Sequence, residues 1–203
     1  MVYIFDPKDW NGTSFRLDEY HISPGRIEFR FQNKPIPASY FPKSLTVVEA
    51  IQAMPDMFHT ARSFILFSKR ARTLLEERAS GQVEFIPVTI HAAPQIADRV
   101  NLASSYYFIN VLGRAQRLQW LEILTKKLQT KEDGTEIWST ACNYHQWKLR
   151  ERTTDEPVIW HDNPWRVGDR DYRNHPPIFV EDALWQVLNS TFPGQLNEMR
   201  IGR

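Results

Sequence analysis

Apolar and polar positions alternate strictly along RIEFRF (26–31), with Ile27, Phe29 and Phe31 set against Arg26, Glu28 and Arg30. A period of two marks a half-buried strand. A different pattern begins at residue 64. FILF (64–67) is continuously apolar, as expected of a strand buried on both faces. In KRARTLLEERAS, which follows after Ser68, the apolar positions Ala71, Leu74, Leu75 and Ala79 form one helical stripe, with arginine and glutamate around the rest. Ser68 is placed to accept from the free N–H groups of the first turn, and Gly81 to end the helix in the left-handed conformation. VEFIPVTI (83–90) then reads as a second strand. Pro87 has no N–H to donate, so this strand should lie at an edge or bulge there.

Val2–Phe5 reads as a short edge strand, and residues 6–25 are rich in turn signals. The prolines of NKPIPASYFP make a loop. In SLTVVEAIQAM (44–54), Val47, Val48, Ile51 and Met54 recur at helical spacing after a possible Ser44 cap, which predicts a short helix. An irregular covering segment is the rival reading. YYFINVL (106–112) is another apolar strand, after which Gly113 should turn the chain towards a partner near residues 116–123. LTKKLQTKEDGTEIW is a charged hairpin with Asp133-Gly134 as its turn. Residues 137–149 favour a long strand, in which His145 would share a face with Trp147 as a partly buried, hydrogen-bonded histidine.

VIW (158–160) is a short strand, and HDNPWRVGDRDYRNHPP (161–177) is too polar and too broken for regular structure. IFV (178–180) leads into a last helix. Glu181 and Asp182 suit its positive end, Leu184, Val187 and Leu188 line its stripe, and Gly194 stops it. The order of apolar run, helix and Gly-Gln thus occurs twice, as GQVE and GQLNE. It reads either as a distant internal repeat or as the ordinary way a strand–helix unit is written. No linker divides the 203 residues. The pattern predicts a single α+β domain, a mostly antiparallel sheet with two or three helices packed on it.

Composition narrows the function classes. A chain of this length buries about 70% of its unfolded surface and needs no disulfides. Lys and Arg total 25 against 24 Asp and Glu, a net charge of +1. That lacks the basic excess of a dedicated nucleic-acid binder, and equally the acidity of a DNA mimic. Cys142 is the single cysteine, which excludes an internal disulfide and a cysteine-rich zinc site and fits a reducing compartment. MVYIFDPKDW lacks the features of a secretory signal, and no run reaches the roughly 18 apolar residues of a membrane span. A cytoplasmic protein is the expectation.

Candidate chemistry is sparse. His21, His59 and His91 stand alone. His161, Asp162, Asp169, Asp171 and His175 form the one cluster that a metal-dependent hydrolase could use, but HDNPWRVGDRDYRNH has no metal-ligand spacing. Cys142 and His145, three apart on a strand, would point to opposite faces. Gly-x-Ser-x-Gly and phosphate-loop motifs are missing, so the expectation is a non-enzyme without metal or cofactor. The notable feature is the density of Trp and Arg in 147–173. Trp147 and Trp160 belong to strands and read as core. Trp165, Arg166, Asp169, Arg170, Asp171, Tyr172 and Arg173 form a candidate partner-binding surface, since Trp, Tyr and Arg dominate binding hot spots. A single-stranded nucleic-acid platform would use the same types. The interleaved aspartates would repel phosphate and suit a protein partner better.

FILFSKRARTLLEE, GQVEFIPVTI, YYFINVLGRAQRLQW and IFVEDALWQVLNSTFPG, in this order, resemble a bacterial immunity-protein family first catalogued as a domain of unknown function, whose genes sit beside polymorphic toxins. The likeness covers about residues 64–198; residues 1–60 and the loops 124–136 and 161–176 are idiosyncratic. It implies no catalytic residue. It implies a cytoplasmic protein that binds a cognate toxin or secreted effector, a nuclease among the candidates, encoded by an adjacent gene. Neutralisation would come from covering the active site or substrate entry. Nucleic acid and membrane are not expected partners, and self-association is open.

Overall fold

The computed structural model describes residues 1–9, 14–18, 35–49, 54–60, 64–99, 105–119, 124–130, 132–134, 136–140, 144–162, 165–167, 170–172 and 177–202. Its strands are β1 (Val2–Ile4), β2 (Ser14–Asp18), β3 (Ser44–Glu49), β4 (Met57–His59), β5 (Ile65–Ser68), β6 (Val83–Ala92), β7 (Tyr106–Val111) and β8 (Arg114–Ala115). They continue with β9 (Leu124–Thr130), β10 (Glu136–Thr140), β11 (Ile159–Asp162), β12 (Trp165–Val167), β13 (Arg170–Tyr172), β14 (Ile178–Glu181) and β15 (Arg200–Ile201). Helix α1 spans Lys69–Arg78 and α2 spans Asp182–Thr191. One sheet runs β2-β3-β6-β7-β5-β4 and a second β15-β1-β14-β11-β8, with β9–β10 and β12–β13 as separate two-stranded ribbons. The pairs are antiparallel except β3–β6 and β8–β11. This is an α+β fold.

Local chemistry explains both helices. The Ser68 hydroxyl accepts from the Ala71 N–H at 3.2 Å and so caps α1. Ala71, Leu75 and Ala79 are buried, and Gly81 takes φ 71°. In α2, Asp182 occupies the positive first turn and Gly194 follows at φ 77°. Its buried stripe is Leu184, Trp185 and Leu188. Trp185 stacks on Tyr3 with ring centroids 4.2 Å apart, and Val187 sits at the margin, half-buried.

Short strands with two apolar faces divide the core into layers. Tyr3 and Phe5 enter a cluster with Phe67, Leu75, Val180 and Leu188, which joins both large sheets and both helices. Val2 and Ile4 turn the other way, into a cluster with Trp147, Trp160 and Phe179. Along the next sheet Ile65 and Phe67 face the shared cluster, while Phe64 and Leu66 pack with Phe41, Phe58 and Phe108. Alternation of side-chain direction along a strand produces this sorting.

Several local expectations change. Ser44–Glu49 is a strand, not a helix: it runs between β2 and β6, with Leu45 and Val47 wholly buried. Its β-branched Thr46, Val47 and Val48 suit that pleat better than a helical turn. Val2–Ile4 lies between β15 and β14 rather than at an edge. Gly113 leads into β8, which pairs in parallel with β11. The strand expected over 137–149 ends at Thr140, and Tyr144–Gln146 is a 3-10 turn that leaves His145 exposed and buries Trp147. Segment 161–177 contains the paired strands β12 and β13. The Thr89 N–H reaches the Lys43 carbonyl at 3.1 Å, so Pro87, two residues earlier, faces the same side. There β3 has not yet begun to pair, because its register starts at Ser44–Thr89, and no donor is missed. RIEFRF lies outside the described residues, as does Cys142.

The crossing of β8 onto β11 is tight. A Cβ on Gly113 would fall 2.0 Å from the Ile159 carbonyl oxygen and 3.0 Å from the Pro157 Cβ. Gly113→Ala is expected to lower unfolding free energy by about 3 kcal/mol or more, because the obstruction is backbone and cannot rotate away. Urea denaturation measures it. A loss below about 1 kcal/mol would mean that β8 moves aside freely.

Candidate functional site

Five of the seven candidate partner residues are brought together by one hairpin. Antiparallel register sets Trp165 opposite Tyr172, Arg166 opposite Asp171 and Val167 opposite Arg170. Two residues, 168 and 169, intervene, the commonest length for a hairpin connection. Strand β13 lies against β10, so this ribbon and the β9–β10 ribbon are neighbours. Asp169 and Arg173 lie outside the described residues.

The metal-ligand reading of the same region meets two obstacles. Asp162 is fully buried, and its Oδ2 accepts from the Arg117 N–H at 2.9 Å, the Leu118 N–H at 3.1 Å and the Trp160 indole at 3.4 Å. Its carboxylate is committed to holding the turn after β8 against β11. His161 precedes it on the same strand, so the two side chains leave on opposite faces. Among the described residues, no three His, Cys, Asp or Glu side chains converge as a metal site. His175 and Asp169 lie outside them.

Around Asp162 stands a charged network that the sequence pattern does not disclose. Arg117 is 5% exposed, lies 4.6 Å over the Trp160 ring, pairs with Glu181 and donates to the Arg150 carbonyl at 3.3 Å. Buried charges persist only when paired and hydrogen-bonded, and each of these contacts meets part of that requirement. Glu181, expected to serve the α2 N-terminus, makes no side-chain cap there and is turned to Arg117 instead. Asn110, the one amide side chain inside the YYFINVL run, is also buried. Its Nδ2 donates to the Ile36 carbonyl at 2.7 Å and Glu84 at 2.8 Å, pinning the proline-rich loop to β7. An amide in a continuous apolar strand is the signal that could have marked it.

His59, isolated in sequence, has Nε2 3.3 Å from the Asp6 carboxylate, which also accepts from Asn197 at 2.8 Å. The bond from His59, followed by that from Asn197, holds the Asp6 carboxyl below its ordinary range against the opposing effect of burial. Glu156 organises the exposed 150–156 loop. It pairs with Arg150, accepts from the Thr153 N–H at 3.0 Å, and its own carbonyl accepts from Arg152. The Arg150 guanidinium pulls its carboxyl down to about 2.

No protein-family model matches the chain, and no curated protein matches it.

Asp162→Ala should lower unfolding free energy by about 3 kcal/mol, read from denaturant curves, because two buried backbone N–H groups lose their acceptor. Asp162→Asn, which keeps one carbonyl oxygen, should lose less. For Glu156 the folded value lies below the ordinary 4.5, so its contribution is complete above pH 4.5 and fades as pH falls through about 2. Amide protection factors in residues 151–156, corrected for the intrinsic pH dependence of exchange, should therefore fall over that window. In Glu156→Gln they should be lowered already at pH 7. Protection factors that stay flat from pH 5 to pH 2 would remove Glu156 as the organiser.

Proposed function

We propose that this protein is an immunity protein. It binds a cognate bacterial toxin or secreted effector and neutralises it by covering the active site or the path of the substrate, and it performs no reaction of its own. The reading takes the chain as one cytoplasmic domain and its partner as the product of an adjacent gene. The observation that carries it is a division of labour along the chain. The stretches that resemble the immunity family coincide with the buried frame of β5, α1, β6, β7, β14 and α2. Within the Trp- and Arg-rich segment, β12 (Trp165–Val167) and β13 (Arg170–Tyr172) instead form a ribbon separate from both large sheets. A frame that holds a mixed-charge aromatic ribbon suits recognition of a folded protein.

A metal-dependent hydrolase built on residues 161–175 is the weaker reading, since Asp162 is already engaged and His161 faces away from it. A nucleic-acid module would bind with a steep salt dependence. The toxin complex should bury roughly 1,200–2,000 Å² and depend on salt far less.

The test is co-purification with the neighbouring gene product, followed by rescue of cells that express it. Arg170→Glu and Asp171→Arg should each weaken that complex about tenfold or more in calorimetry while leaving the melting temperature unchanged. Wild-type affinity in both variants would move the interface away from the β12–β13 ribbon. Absence of rescue by the unaltered protein would end the immunity reading.

A further inference from the structure

We infer that the chain is two copies of a single four-strand, one-helix module, the second copy circularly permuted, and that each copy completes the other. The first module is β4, β5, α1, β6 and β7, with strands side by side as β6-β7-β5-β4. The second is β11, β14, α2 and β15, and its last strand comes from the opposite end of the chain as β1. Its order is β15-β1-β14-β11, and every adjacent pair in both modules is antiparallel.

The correspondence holds residue by residue. One constant shift carries Ile65–Ser68 onto Ile178–Glu181, Lys69–Arg78 onto Asp182–Thr191, and Gly81-Gln82 onto Gly194-Gln195. The register agrees as well. Phe67 sits between Met57 and Tyr107, and Val180 between Ile159 and Tyr3. Val83 pairs with Val111, and Leu196 bridges to Pro7. Backbone bonds outside the ladders repeat too. Ser68 N to Asp56 O is 2.8 Å and Glu181 N to Val158 O is 2.9 Å. Lys69 N to Ser105 O and Asp182 N to Met1 O are both 3.0 Å. Leu112 N to Gln82 O is 2.8 Å and Lys8 N to Gln195 O is 2.9 Å.

Side chains at matched positions do equivalent work with different chemistry. Arg72 lies 4.5 Å over Tyr107 where Trp185 stacks on Tyr3. Asn110 donates to Glu84 at 2.8 Å, and at the matching pair Asn197 donates to Asp6 at 2.8 Å, with amide and carboxylate exchanged. The generic grammar of a strand–helix unit accounts for a helix and its glycine stop. It does not account for a strand from the other terminus taking the same register.

The modules are interlocked reciprocally. Gln82 of the first accepts from Val158 N at 2.8 Å and Ile159 N at 3.2 Å, at the start of β11. Gln195 of the second accepts from Met57 N at 2.8 Å, at the start of β4. The tail after β7 runs beside β11, with His161 N donating to Gly113 O at 3.1 Å. The tail after β1 runs beside β4, with His59 N donating to Lys8 O at 3.2 Å. By the same comparison the β12–β13 ribbon is an addition to the second copy. It lies between β11 and β14, where residues 60–64 alone connect β4 to β5.

The permutation can be reversed in the laboratory. Val2 and Ile201 are paired neighbours, so the termini can be joined by a Gly/Ser linker of about four to twelve residues. New ends are opened between the exposed Ala97 and Asp98, in the connection that links β6 to β7. The second module then becomes continuous and the first is the one divided. The expected product unfolds in one cooperative step with a melting temperature within about 5 °C of the parent. Failure to fold at every linker length overturns the inference. Hydrogen exchange tests the interlock in the unpermuted chain. Gln195→Ala should raise exchange about tenfold through β4 and β5 of the first module, and Gln82→Ala through β11 and β14 of the second. Increases confined to the module that carries the substitution overturn it.

Discussion

A backbone N–H shielded from water needs an acceptor, and at Met57, Ile159 and the half-buried Val158 that acceptor is a glutamine side chain from a distant turn. The rest of the architecture depends on these bonds. Each glutamine follows a glycine with positive φ at the end of a helix, so the helix stop positions the amide. Each amide lands where a strand begins in the opposite sheet. The two sheets are therefore located relative to each other by directional bonds as well as by the apolar cluster they share. Hydrophobic contact is non-directional and would tolerate sliding; a side-chain carbonyl within about 3 Å of a specific N–H does not.

The polar interior follows the same rule. Asp162, Arg117, Glu181 and Asn110 are ionisable or amide groups withdrawn from water, and each is engaged by backbone or by a partner. Such groups resemble reagents when read along the chain. In place, three of them hold loops, Asp162 the turn after β8, Arg117 the backbone at Arg150 and Asn110 the proline-rich segment at Ile36, while Glu181 is the partner of Arg117. Burial raises the cost of leaving any of them unpaired, which ties their identity to stability.

Where local pattern and structure diverge, non-local pairing is the cause. The valines of 44–49 satisfy a helical spacing, yet β2 and β6 recruit them into a strand, with Leu45 and Val47 fully buried. HDNPWRVGDRDYRNHPP carries the turn residues of a loop, but Val167 and Arg170 flank a two-residue connection and close a hairpin. Val2–Ile4 has the length of an edge strand and becomes interior because β15 returns to its open side. His59 looks isolated because Asp6 reaches it only after β1 has crossed between the modules.

From the sequence alone came both helices with their glycine stops, the serine cap of α1, the apolar strands β5, β6 and β7, the β9–β10 ribbon and the α+β class. Each of these is written in periodicity and in the special backbone of serine caps and glycine stops, which act over a few residues. Tertiary structure alone decided that β1 stands in the second sheet where β7 stands in the first, that Gln82 and Gln195 reach across, and that Asp162 is an anchor. A one-dimensional pattern records which faces must leave water. It does not record which surface will cover them, because that choice is made among groups far apart in the chain by register and hydrogen bonding.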